Sequence, residues 1–318
     1  MVESSPHLWV GITDSDWFRY HSAKVKIEEV NFWSPSSKVG FRALKLGQPL
    51  LFKLKSPRNV IAGGGFFAKF EFLPLTRAWE TFGEANGAGT FEDFRFLILR
   101  NRYEKFSSED DPLIGCTALS EPFFFKENDW IPIPDDFGRR RRGRSYDITT
   151  GTGLKLWNDV RDRLTVARIK SDGPATSVAI ERARYGQPAL VMPRLGQGSF
   201  RLMITDAYQR RCAITSERTL PALEAAHIHR YSHGGDHSLS NGLLLRSDLH
   251  RLFDRGYLAI EPRALTVQVS PRIREEFENG RDYYALEGRK LTKPKNPLAF
   301  PSIERLIHHY ESVFKKTS

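Results

Sequence analysis

Apolar positions change their spacing along the chain. In the first 135 residues they come as short runs broken by polar or glycine-bearing segments, which predicts many short strands. Leu8 to Thr13 reads as a strand. Trp17 to His21 opens a helix with Asp14 or Ser15 as its N-cap. Val25 to Phe32 alternates as a second strand and runs into an aromatic turn, Asn31 to Ser36. Pro49 to Leu54 is a third strand. Val60 to Ala62 and Phe66 to Phe72 are expected to pair around a turn at Gly63-Gly64-Gly65. Thr76 to Phe82 predicts a short helix with Trp79 inward, and Phe94 to Leu99 and Ile114 to Leu119 predict further strands. Such a pattern suits a compact, mostly β barrel.

The spacing then becomes helical. Leu154, Trp157, Val160 and Leu164 form one stripe of a helix over Leu154 to Ile169, which Lys170 to Pro174 breaks. Leu223 to Ile228 is an apolar-rich strand ending near His227. A polar loop, Ser232 to Ser240, leads to Asn241 and then to Leu243-Leu244-Leu245. Leu249, Leu252 and Phe253 fall at i, i+3 and i+4, so His250 sits on an amphipathic helix. A hairpin over Leu258 to Val269 and a helix over Ser302 to Phe314 close the chain. The expected class is α+β: a first domain over 1–136, a basic linker and helix over 137–173, and a second domain over 174–318.

Composition narrows the class. A hydrophobic content of 40% with 27% charged residues describes a globular chain with no run long enough to span a membrane. The opening MVESSPHLWVGITDSDW lacks the basic and apolar regions of a secretory signal, so a cytoplasmic protein is expected. Cys116 and Cys212 are too few and too far apart for a disulfide framework or a cysteine-rich zinc knuckle. Gly63-Gly64-Gly65 is followed by neither Lys-Ser/Thr nor a helix, which argues against a nucleotide loop. Charge is uneven. Residues 1–135 carry 16 Lys and Arg against 18 Asp and Glu, a net of −2, whereas residues 136–318 carry 32 against 20, a net of +12. A polyanion partner is the natural inference for the second part.

Arg211 to Tyr257 carries the clearest chemistry. Asn241 follows His227 by 14 positions and His250 follows Asn241 by nine. Phosphodiester hydrolysis needs a base to take a proton from water and a divalent ion to polarise the phosphate, and histidines can serve both needs. With LEAAHI, NGLLL and LHRLFD around them, these residues resemble the HNH nuclease family and its ββα-metal core, in its restriction-type branch. The resemblance implies that His227 is the general base, that His250 binds the ion, and that Asn241 either binds it or orients the loop. Many members carry Asp or His just before the first His. Ala226 stands there instead, so the ligand set must be completed elsewhere. Mg²⁺ or Mn²⁺ suits oxygen ligands, and another transition metal suits histidine.

The first part resembles the EVE domain of the PUA superfamily, on the words WVGITDSDW, EVNFWSPS, LLFKLKSPRNVIAGGGFF and AWETFGEANG. Together the two parts resemble EVE-HNH modification-dependent restriction endonucleases. That implies a prokaryotic, type IV-like enzyme acting on double-stranded DNA that contains 5-methylcytosine or 5-hydroxymethylcytosine. Reading a group on cytosine C5 inside a pocket requires base flipping between aromatic faces. Trp17, Phe32, Trp33 and Trp79 are candidate faces, and Asp14, Asn31 and Ser34 candidate polar partners. Arg139, Arg140, Arg141, Arg142 and Arg144 are candidate contacts to the DNA backbone, with Arg201 and Arg211 as candidate phosphate clamps. One HNH site cuts one strand, so a homodimer is expected. An HNH nuclease directed by RNA or by DNA structure, or a non-catalytic nucleic-acid reader, is the alternative.

Overall fold

The computed structural model describes residues 6–25, 27–102, 111–139, 142–172 and 195–316, with backbone only for 166–172 and 233. The chain divides into two compact units, Met1–Leu195 and Gly196–Ser318. No helix of the described residues is long and apolar enough to cross a membrane.

The first unit is a mixed α/β arrangement around a seven-stranded sheet. Its strands are β1 (His7–Thr13), β2 (Glu29–Asn31), β3 (Pro49–Leu54), β4 (Val60–Pro74), β5 (Leu113–Phe124), β6 (Ile131–Pro132) and β7 (Gly143–Asp147). Its helices are α1 (Ser15–Ser22), α2 (Leu75–Phe82), α3 (Phe91–Arg100) and α4 (Gly151–Asp172). The strand order is β2-β5-β4-β3-β1-β7, with β6 also beside β4. β1 and β3 run parallel, and the other pairs are antiparallel.

β3 is buried at every position because both faces of the sheet are covered. On one face Leu51 joins Leu8, Val10, Ile61 and, from α4, Leu156 and Val160. On the other, Leu50 and Phe52 pack with Trp17 and Phe18 of α1. Asp14 caps α1 by accepting from the amides of Asp16 and Trp17, as expected, a cap that contributes about 1 kcal/mol.

Several expectations are corrected. The hydrogen-bonded path ends at β2 and β7, which are not paired with each other among the described residues, so no closed barrel forms. Gly63, Gly64 and Gly65 are not a turn but the interior of one 15-residue strand, β4. A Cβ at Gly63 would lie 2.3 Å from the Phe123 carbonyl oxygen, and one at Gly64 would lie 2.7 Å from that of Leu50. The glycines therefore serve close strand approach, not chain reversal. Phe94 to Leu99 is helix, because Phe94, Leu97 and Ile98 are buried at i, i+3 and i+4 and Thr90 caps the amide of Asp93. The strand expected over Val25 to Phe32 is confined to Glu29–Asn31. Within 137–173, Gly143–Asp147 is an edge strand on β1, and the expected helix is present as α4, which packs into the first unit's core.

The second unit contains α5 (Gln197–Ala207), β8 (Leu223–His227), β9 (Gly242–Arg246), α6 (Ser247–Asp254), β10 (Leu258–Glu261), β11 (Thr266–Val269), α7 (Arg272–Phe277), α8 (Arg281–Tyr284) and α9 (Ile303–Ser312). β8 pairs antiparallel with β9, and β10 with β11. Leu243, Leu244 and Leu245 of β9 and Leu249 and Phe253 of α6 are buried. Hairpin and helix thus share one core, the arrangement that the 2-then-3.6 change in apolar period demands.

Candidate active site

The β8–β9 register sets His227 opposite Gly242. A Cβ at Gly242 would come 2.4 Å from Ile204 Cδ1 and 2.9 Å from Phe200 Cε2, so the bare backbone admits α5 against the hairpin. The Phe200 ring consequently stacks on the His227 imidazole, with centroids 4.2 Å apart and planes 10° from parallel. Burial, then the neighbouring His237 and His250, push the His227 pKa down to about 4, against an opposing pull from Asp236. At neutral pH the ring is uncharged. Its Nε2 lies 2.9 Å from Nδ1 of His237.

Asn241 is fully buried at the end of the intervening loop. Its Oδ1 accepts from the His229 amide at 2.8 Å, and its Nδ2 donates to the carbonyls of His229 at 2.9 Å and Asp236 at 2.7 Å. The side chain ties the two ends of the loop together. Its oxygen already faces a backbone N–H.

His250 lies between two carboxylates that the spacing of His227, Asn241 and His250 did not single out. Its Nδ1 is 2.7 Å from Glu224 Oε2 on β8, and its Nε2 is 3.6 Å from Asp254 Oδ2 one helical turn on. Asp254 is also approached by Arg230, whose Nε is 3.6 Å from Asp254 Oδ1. An imidazole flanked by carboxylates is a donor set suited to a divalent ion. No three such side chains among the described residues are already arranged as a metal site. A hard divalent ion does not need three, since one or two protein carboxylates with water and phosphate oxygens complete its shell. Signals for both acids were present: Glu224 stands in LEAAHI, and Asp254 lies at i+4 from His250.

The candidate pocket residues of the first unit separate into two groups. Trp17 is a core residue, 2% exposed, with its indole N–H donating to the Asn31 carbonyl at 3.0 Å. Phe32 packs against Trp17 and Phe52. Trp33 is half-buried and donates its N–H to the Asn86 carbonyl at 2.9 Å. Asn31 donates Nδ2 to Asn86 Oδ1 at 2.8 Å, while its own Oδ1 is buried without a hydrogen-bond partner. Trp17, Asn31, Phe32 and Trp33 therefore form one neighbourhood, which Asn86 completes. Ser34 bridges to Gly115 across the sheet edge. Asp14 and Trp79 do other work. Asp14 caps α1 and meets Arg100, and Trp79 stacks on Phe94 of α3.

Among the basic candidates, Arg139 and Arg142 are exposed. Arg140 and Arg141 lie outside the described residues. Arg144 pairs with Asp136 at 3.1 Å and lies over the Tyr146 ring. Arg201 is half-buried on α5 beside Phe200, and Arg211 is exposed beyond that helix.

Residues 212–261 match the family described as HNH endonuclease, a span that holds β8, the loop, β9, α6 and β10. No curated protein matches the chain. Among solved structures, one titled "Modification dependent TagI restriction endonuclease" aligns with 94% of this chain and 79% of its own at 14% identity. Its TM-score is 0.26, too low to establish a shared overall arrangement.

Proposed function

We propose that the protein is a DNA endonuclease whose second unit hydrolyses a phosphodiester bond with His227 as general base. The observation that carries this reading is the pair of unlike histidines within the family-matched span. His227 is neutral and held by one nitrogen, whereas His250 is set between Glu224 and Asp254. Among the described residues His227 Nδ1 makes no hydrogen bond, which leaves it for the proton of the attacking water. His250 and Asp254 would hold the divalent ion. Glu224, on the far ring nitrogen, would fix the orientation of His250 as carboxylates do behind ligating histidines. When bound, such an ion neutralises charge on the phosphate and the leaving oxygen. Asn241 keeps the loop closed so that both histidines hold their places.

The first unit, on this reading, supplies an EVE-like recognition of modified cytosine. Support comes from the sequence resemblance and from Trp33, the half-buried indole beside Asn31, Phe32 and Ser34. Trp17, Asp14 and Trp79 have structural roles that make them poor contacts for a base. Arg139, Arg142 and Arg144, with Arg140 and Arg141, would follow the DNA backbone. Two copies would cut two strands.

The test is cleavage of four versions of one plasmid-length DNA, carrying plain cytosine, 5-methylcytosine, 5-hydroxymethylcytosine or N6-methyladenine, with Mg²⁺ or Mn²⁺. Cutting confined to the modified-cytosine DNAs is expected. Equal cutting of all four would leave the nuclease and remove the reader. No cutting of any would remove the nuclease, and full activity in His227→Ala would remove His227 as the base.

A further inference from the structure

We propose that His237 is a positioning residue for His227, fixing its tautomer and ring plane, and that Arg305 holds His237 in place by gripping the residues on either side of it. This rests on the reading of His227 as the base.

His237 is 8% exposed, and its Nδ1 faces His227 Nε2 at 2.9 Å. Each ring is held flat by an aromatic neighbour. Phe200 stacks on His227, and Tyr231 stacks on His237 with centroids 4.4 Å apart and planes 14° from parallel. One guanidinium, from α9, holds the backbone that carries His237. Arg305 Nη1 donates to Asp236 Oδ1 at 2.9 Å and to Ser238 Oγ at 2.7 Å, and Nη2 donates to Asp236 Oδ2 at 3.0 Å. Burial alone would raise the Asp236 pKa, but hydrogen bonds from Arg305 and Ser238 outweigh it and bring the acid down to about 2. The clamp is therefore charged at any pH at which the protein would work. Asn241 adds its bond to the Asp236 carbonyl at 2.7 Å.

A neutral imidazole has one N–H and one lone pair. For His227 Nδ1 to accept a proton from water, the ring hydrogen must sit on Nε2. That hydrogen then donates to His237 Nδ1, so the hydrogen of His237 sits on its own Nε2. The reverse bond, from His237 Nδ1–H to His227 Nε2, would put the His227 hydrogen on Nδ1 and close the base. As His227 takes the proton, it keeps its Nε2–H bond to His237, and no hydrogen passes between the two rings.

The experiment compares the wild type with His237→Ala, His237→Gln, His237→Asn and Arg305→Lys, with His227→Ala as control. The substrate is whichever of the four plasmid DNAs the wild type cuts fastest. An Asn carboxamide can place its oxygen where His237 has Nδ1, whereas Gln places it farther out. His237→Ala and His237→Gln are expected to lose on the order of 10²-fold in single-turnover rate with DNA affinity unchanged. His237→Asn should recover most of that loss, and Arg305→Lys should lose less than His237→Ala. Imidazole ¹⁵N NMR of the histidine-labelled wild type, which needs no cleavage, should show the His227 hydrogen on Nε2. A His227 hydrogen on Nδ1 in that spectrum overturns the proposal whatever the variants do, including any that fail to fold. So does His237→Ala cutting at the wild-type rate while His227→Ala is inactive, and so does a loss that Asn does not relieve. If the wild type cuts nothing the nuclease reading fails instead, and if His227→Ala remains active the assignment of His227 as base fails; in either case the spectrum alone decides how the two rings are paired.

Discussion

Replacing Asn241 by Asp separates a loop anchor from a metal ligand, because it keeps the shape and changes one atom. Oδ1 can still accept from the His229 amide, now 2.8 Å away. The other terminal atom becomes an oxygen facing the carbonyls of His229 and Asp236, at 2.9 and 2.7 Å in the wild type. The site is fully buried, so the new acid is driven to protonate, and its single hydrogen can restore only one of the two lost bonds. One hydrogen bond lost and one buried carbonyl left bare cost about 3 kcal/mol together. That is roughly a 100-fold rise in loop opening. Hydrogen exchange of the His229 amide reads it directly, and its protection is expected to fall by about two orders of magnitude. Single-turnover DNA cleavage should fall with it, at any metal concentration. A ligand would behave oppositely, since a carboxylate holds Mn²⁺ better than a carboxamide. Intact His229 protection together with cleavage at lower Mn²⁺ than the wild type needs would refute the anchor.

Four further outcomes are expected. A base works in its deprotonated form, and His227 is pushed down to about 4, so the acid limb of the single-turnover rate at saturating metal should lie near that value. A limb near 6.5, the ordinary histidine value, would contradict the burial argument. His309 is 3% exposed, stacked on Phe253 and pushed down to about 4 mainly by burial. The unfolded chain therefore binds its proton first, and stability should drop by up to about 3 kcal/mol as pH falls from 6.5 to 4, then level off. Urea melts across that range should show a shallower fall in His309→Gln. Gly242→Ala places a methyl against Ile204 and Phe200 and should cost about 1–3 kcal/mol in urea unfolding while slowing cleavage; an unchanged rate would mean that Phe200 does not hold His227. Arg139→Ala and Arg142→Ala should each lower the salt slope of DNA binding by about one if they meet phosphates, and leave it unchanged if they do not.

The sequence made some of this visible for reasons of spacing. His227, Asn241 and His250 sit close together in the chain, on a strand, a loop end and a helix whose apolar periods are plain. Glu224 and Asp254 are equally near in the chain, but an acid on a strand or a helix face is ordinarily a solvated surface residue, so nothing local marks either as a partner of His250. His237 is one of three histidines between His227 and Asn241, with His229 and His233, and nothing local distinguishes it. Its role depends on Phe200 and Tyr231 rings and on Arg305, which lies 69 positions from Asp236. In the first unit, runs such as Phe94 to Leu99 suit either period, and their burial against α2 selects the helix. Gly143–Asp147 is too short and polar to announce a strand. Its pairing comes from β1, which offers a free edge.

The bare position at Gly242 limits how this site can be moved. Because that residue has no side chain, a wall from α5 reaches the imidazole, and the span that matches the endonuclease family begins only after that wall. The guanidinium that pins the loop comes from beyond the other end of the span. A transplant of residues 212–261 into another scaffold would carry the histidines and leave behind both the surface that flattens one ring and the clasp that aims the other. On the proposed reading, the smallest portable cutting module of this chain therefore runs from Gln197 through at least Arg305.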